Sequence, residues 1–203
     1  MTKFLSSLPF VLALSLTATS TFAQTTETTD TPTETPSVEE QLNLGEDANK
    51  EPEIGKPYTK EVIGSWEMRC IKFEDGTEPC QMYQLMDDGQ GSPVAEVSLF
   101  RLPDGGKAEA GATVIVPLET ALPQQLTVSI DGGKVMRYPY SFCNPVGCYV
   151  RLGLTTDDIA AFKRGKEAQV TIVPALAPDQ KVVLTLALDG FTASYDKVSV
   201  IDR

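Results

Sequence analysis

The sequence predicts a mostly β domain: a β-sandwich, or an irregular barrel, of short antiparallel strands with one short helix. Three observations carry this expectation. Apolar residues alternate at period two along a series of short segments. Clusters of Gly, Pro, Asp and Asn separate those segments with turn chemistry. A single stretch breaks the alternation with helical capping signals at both ends.

The segments follow in order. Residues 62–73 carry Trp66, Met68 and Cys70 on one parity, the pattern of a half-buried strand. Residues 79–85 resume after Asp75-Gly76, and residues 94–102 alternate through Val94, Glu96, Ser98 and Phe100. Pro103-Asp104-Gly105-Gly106 makes a turn because proline presets φ and glycine accepts positive φ. Residues 112–117, 126–130 and 135–140 continue the series, with Asp131-Gly132-Gly133 as a hairpin signal, and residues 149–152 add a short strand. The helix opens at Thr155 as N-cap with Asp158 three positions on, close to a capping box. Ile159 and Phe162 face inward, Lys163 and Arg164 complement the dipole, and Gly165 suits a left-handed stop. Residues 168–173 and 181–188 close the series; in the latter Val182, Leu184, Leu186 and Leu188 share one face.

Ahead of this domain lie two segments of different kind. Residues 1–23 read as an export signal: Lys3, an apolar run over residues 4–16, then Thr21-Phe22-Ala23 as a small-x-small cleavage site before Gln24. The run is too short for a roughly 30 Å hydrocarbon core. Residues 24–57 are rich in Thr, Pro and Glu, with nine acidic residues against Lys50 and Lys56, a charge of −7 out of −11 for the chain. So little apolar surface cannot offset the ordering entropy of roughly 1–2 kcal/mol per residue, which predicts a flexible acidic tether. The domain then spans residues 58–203 with a charge of −5, and binding to nucleic acid or anionic lipid is not expected. No transmembrane segment is expected in the mature chain, and the compartment is periplasm, outer envelope or the exterior.

Four cysteines and no histidine bound the chemistry. An even cysteine count in an exported chain reads as two disulfides, with three connectivities allowed by sequence. The turn-prone inserts favour Cys70–Cys80 and Cys143–Cys148. Zinc would want C-x-x-C clips or histidine, and a redox pair would want C-x-x-C at a helix N-terminus; neither is present. Without histidine, Ser-His-Asp and Cys-His catalysis cannot be built. The acidic pairs Asp87-Asp88 and Asp157-Asp158 keep carboxylate-pair hydrolysis formally open. No cofactor, metal ion or catalytic residue is expected. Tyr138, Tyr140 and Tyr149 gather around the second cysteine pair and form the candidate binding patch, since tyrosine is favoured at interfaces.

An ordered set of motifs resembles the invasion-associated locus B family. It opens with Trp66-x3-Cys70 and Cys80 followed by Gln84, then Val116-Pro117-Leu118 and LTVSIDG at residues 126–132. Tyr140-x2-Cys143-x3-Gly147-Cys148, Lys163 with Gly165, and LALDGFTA at residues 186–193 complete it. The resemblance covers roughly residues 61–200. It implies an exported bacterial β protein of the periplasm or outer envelope, in a family linked to host-cell invasion, and supplies no biochemical activity. The missing histidine and the structural explanations of the acidic pairs favour a non-catalytic envelope protein that binds another envelope or host protein. One departure stands at Glu119-Thr120, where family members often carry a glycine. A periplasmic glycan hydrolase and a small-molecule carrier are the competing readings.

Overall fold

Residues 51–201 are described by the structure, a computed structural model. The export signal and most of the acidic tether lie outside the described residues. The strands are β1 (Pro57–Ile63), β2 (Trp66–Ile71), β3 (Cys80–Asp87), β4 (Pro93–Arg101), β5 (Ala110–Val116), β6 (Leu126–Ile130), β7 (Met136–Tyr138), β8 (Tyr140–Asn144), β9 (Gly147–Leu154), β10 (Glu167–Ile172) and β11 (Val182–Ala187). Helix α1 (Thr156–Arg164) precedes β10, and α2 (Phe191–Lys197) follows β11. All strand pairs are antiparallel, in the order β7-β6-β10-β11-β3-β4-β5-β9-β8, with β2 and then β1 on the side of β3.

Two corners turn this order into a nearly closed barrel-like sheet. β7 and β8 stand at opposite ends of the strand order yet are adjacent in the chain, separated by Pro139 alone. Proline has no N–H to give to a ladder, so the run bends there. Its first half pairs with β6 and its second with β9. At the other corner β3 meets β11 through a single pair, Asp87 with Thr185. The Gln84 side chain completes that seam: its Nε2 donates to the Ala187 carbonyl at 3.0 Å, and its Oε1 accepts from the Ala187 N–H at 2.8 Å. Of the two expected architectures the barrel is the better description: a single antiparallel sheet bent at two corners.

The interior is filled by the alternating faces read in the sequence. Trp66, Met68 and Cys70 are buried on β2, as are Leu184, Leu186 and Leu188 at β11. Trp66 meets Phe191 edge-on at 5.6 Å, and Phe191 stacks on Phe162 at 5.3 Å and Tyr195 at 5.8 Å. This aromatic cluster locks both helices to the sheet.

Three further expectations need correction. The segment 62–73 is two strands, because Gly64 turns the chain at φ +59. A Cβ there would sit 2.6 Å from the Asp189 carbonyl oxygen, so the hairpin tip presses on the turn ahead of α2. Among the described residues there are two short α-helices rather than one. α2 starts from Gly190 at φ +78 with no side-chain cap, so the usual start signal is missing. Gly165 ends α1 with extended backbone, φ −73 and ψ 161, not the left-handed turn. It is glycine for space: a Cβ would meet Ile130 Cγ2 at 2.6 Å and Leu188 Cδ1 at 2.8 Å. The capping box of α1 is present, with the Asp158 N–H donating to Thr155 Oγ1 and the Thr155 N–H donating to the Asp158 carboxylate.

Candidate binding face

The sheet β2-β3-β4-β5-β9-β8 has one face in the core and one outside, so alternate residues build an outer surface. Register sets its rows. Leu85 lies opposite Glu96, Glu96 opposite Ile115, Ile115 opposite Tyr149, and Tyr149 opposite Phe142. The next row runs Tyr83, Ser98, Thr113, Arg151. Leu85 is 51% exposed and Phe142 43%, and Val146 at the adjoining turn is 73% exposed. Phe142 and Tyr149 stack at 4.5 Å, with the Arg151 guanidinium 5.4 Å from the Phe142 ring.

The β8–β9 hairpin that carries this pair is held rigidly. Cys143 and Cys148 face each other across it and are joined by a disulfide with Cα atoms 4.0 Å apart. Asn144 Oδ1 accepts from the Val146 N–H at 2.9 Å and the Gly147 N–H at 3.3 Å, closing the turn. A Cβ on Gly147 would fall 2.5 Å from the Val116 carbonyl oxygen, so only glycine lets the hairpin lie this close to β5. The second disulfide, Cys70–Cys80, joins β2 to β3 at the far end of the face, again with Cα atoms 4.0 Å apart.

Between the two staples lies a groove of about 420 Å³ that Arg69, Tyr83, Glu96 and Ile115 help to line. The Arg69 guanidinium lies 3.1 Å from the centre of the Tyr83 ring, and its Nε donates to Glu67 at 2.9 Å. The Tyr83 hydroxyl donates to Glu96 Oε2 at 2.7 Å. Burial, reinforced by that carboxylate, pushes the Tyr83 phenol up to about 12. A shallower dip between Leu85, Val94, Ile115 and Val146 continues the surface towards the hairpin.

The three tyrosines singled out in the sequence are divided between the two sides of the wall. Tyr138 and Tyr140 are partly buried and pack against the core. Burial pushes the Tyr140 phenol up to about 12 and raises that of Tyr138, with Asp158 adding to the latter. Tyr149 alone stands on the outer face, with its hydroxyl 3.2 Å from Asn144 Nδ2. Sequence reasoning missed Leu85, Ile115, Phe142 and the Arg69–Tyr83–Glu96 group. The outward parity of β3 was readable in Gln81, Tyr83 and Leu85, but their neighbours on other strands were not.

The acidic pairs have structural work. Asp87 Oδ1 accepts from the Gly89 N–H at 2.7 Å and Asp88 Oδ1 from the Gln90 N–H at 2.9 Å. Asp158 caps α1. Among the described residues one group is close enough to hold a metal ion, Cys70, Glu78 and Cys80, and both of its sulfurs are spent in a disulfide. No helix among the described residues is long and apolar enough to cross a membrane.

Fold and face together define a disulfide-stapled β-barrel-like domain with a rigid, partly apolar outer sheet surface. The chain belongs to the invasion associated locus B (IalB) protein family, whose family model matches residues 66–199. It is 26% identical over 149 residues to an invasion protein B homolog of Brucella abortus (strain 2308), covering 73% of this chain and 84% of that protein. A homolog from Brucella abortus biovar 1 (strain 9-941) matches equally. The crystal structure of invasion associated protein B from Bartonella henselae shares the fold, with a TM-score of 0.55 at 24% identity, over 66% of this chain and 90% of that one.

Proposed function

We propose that this chain is an exported, non-catalytic envelope protein that binds another envelope or host protein through the outer face of β3-β4-β5-β9-β8. The observation that carries the reading is the outward cross-strand row Leu85, Glu96, Ile115, Tyr149, Phe142 on a disulfide-braced sheet, in which one carboxylate interrupts apolar and aromatic side chains and Leu85 and Phe142 are the most exposed. Contiguous exposed apolar surface with aromatic residues and a polar rim is the composition of interface cores. Bracing lowers the entropy that binding must offset. Export is supported by the leader read in residues 1–23 and by two disulfides, which persist in oxidising compartments. The naming of the relatives as invasion proteins supports a partner at the bacterial surface or on a host cell.

A photo-crosslinking amino acid at position 142 or 85, introduced into the full chain in the producing bacterium, tests the face. Both positions should give the same discrete protein adduct, and a probe at exposed Lys107 should not. Ile115→Glu should cut the adduct at least fivefold. Equal yields at all three positions, or yields untouched by Ile115→Glu, would refute the reading.

A further inference from the structure

The opposite sheet has an outer face of another character. Thr127 and Ser129 point outward on β6, and Gln169 and Thr171 on β10, with Thr127 opposite Thr171 and Ser129 opposite Gln169. Arg137 on β7 lies opposite Thr127. These residues line a groove of about 410 Å³ whose far side carries Lys181 and whose rim carries Gln124 and Gln125. In a chain of net charge −11, this groove holds two cations and no carboxylate. Glu167 stands one outward step beyond Gln169 along β10 and does not line the groove.

These polar groups are unspent. Arg137 and Lys181 have no ion-pair, hydrogen-bond or ring partner among the described residues, and the side chains of Thr127, Thr171 and Gln169 are likewise free. Elsewhere the cations Lys60, Arg69, Lys163 and Lys197 are each paired with a carboxylate. Gln125 is a non-glycine residue at φ 59 and ψ 158, a backbone conformation close to glycine-only. Such strain persists where the surroundings hold it, and it clusters at ligand sites. Here it sits at the mouth of the groove.

We propose that this groove binds a short acidic saccharide, its hydroxyls held by Thr127, Thr171 and Gln169 and its anionic groups by Arg137 and Lys181. A bare anion has no use for an array of hydroxyl and amide groups. A neutral sugar has no use for two unpaired cations, and the groove offers it no aromatic ring to stack on. Arg137 and Lys181 lie three strand spacings apart, roughly 14 Å at about 4.8 Å per strand, which spans more than one sugar ring. The groove is on the sheet opposite the protein-binding face, so either assignment can fail without the other.

The test titrates the full mature chain with a hyaluronan-derived tetrasaccharide (carboxylates) and a heparin-derived tetrasaccharide (sulfates), by calorimetry and amide shift mapping. Neutral chitotetraose and inorganic tripolyphosphate serve as controls. At least one acidic tetrasaccharide should saturate, with shifts confined to residues 124–137, 169–173 and 181. Arg137→Ala with Lys181→Ala should weaken binding at least tenfold, and Thr127→Val with Thr171→Val at least threefold. Gln169→Ala, at an exposed site, gives a second reading of the hydrogen-bonding array should the valine pair unfold. The proposal is overturned if neither acidic tetrasaccharide binds or if chitotetraose binds as well as they do. It is equally overturned if tripolyphosphate binds as tightly while the valine pair and Gln169→Ala leave saccharide binding unchanged.

Discussion

Gln84 shows how much one side chain settles in this fold. It points into the interior from β3 and replaces, with its own amide, the ladder bonds that β3 cannot make to β11 beyond the Asp87–Thr185 pair. Gln84→Leu keeps the volume but strands the Ala187 N–H and carbonyl. At about 1–3 kcal/mol for each of the two stranded groups, chemical denaturation should read a loss of roughly 2–6 kcal/mol. Tyr83 makes the second residue-scale case. Its folded phenol titrates at about 12 against an ordinary 10, so the protonated form is the one the fold favours. The sign follows: this contribution is intact below about pH 10 and is lost as pH rises through 12. Tyr83→Phe should therefore flatten the fall in stability between pH 9 and 12 and remove a late component from the phenolate absorbance titration. An unchanged late component would place that ionisation on another tyrosine.

At the scale of elements, the two staples act on hairpins whose register already brings the cysteines face to face. Each closes a short loop, 10 and 5 residues in sequence separation, so the expected stabilisation is roughly 2–3 kcal/mol by loop entropy. Replacing Cys143 and Cys148 together with serine should cost that much. It should also loosen the Phe142–Tyr149 pair while the rest of the barrel stays folded. Non-reducing peptide mapping should return Cys70 with Cys80 and Cys143 with Cys148; a Cys70–Cys143 peptide would contradict the pairing. The C-terminal segment is held in a comparable way, with Ser199 exchanging backbone bonds with Cys80 and Arg101 and its hydroxyl accepting from the Cys80 N–H at 2.9 Å.

At the scale of the whole molecule, the described chain joins the barrel close to its N-terminal side. Gly55 donates to the Lys72 carbonyl at 2.8 Å, and Pro57 already pairs with Ile71, so the barrel takes hold of the chain just before β1. Removing residues 24–50 takes away no large aromatic and few aliphatics. The melting temperature of the shortened chain should stay within about 2 °C of the full one, consistent with a tether that packs on nothing. A larger fall would mean the acidic segment docks on the barrel. Mass spectrometry of the same preparation should find Gln24 as the first residue, since Thr21-Phe22-Ala23 is the cleavage motif after the apolar run.

Local rules were sufficient for much of this. Alternation located β4, β5, β6, β10 and β11, and the Thr155–Asp158 capping box placed α1, because period and caps are properties of a few neighbouring residues. The absence of histidine bounded the chemistry without any structure. β1 escaped because its alternation is broken by the irregular register between Thr59 and Glu61, and α2 because it starts from a glycine and is fixed by Phe191 and Tyr195 meeting other rings. Which tyrosines face out was decided by closure of the barrel at Pro139, which turns Tyr138 and Tyr140 onto the core and leaves Tyr149 beside Phe142. The candidate binding face and the polar groove exist because register brings side chains from three or more strands into one row. Sequence fixes a residue's parity along its own strand, but only tertiary pairing chooses its neighbours across the sheet.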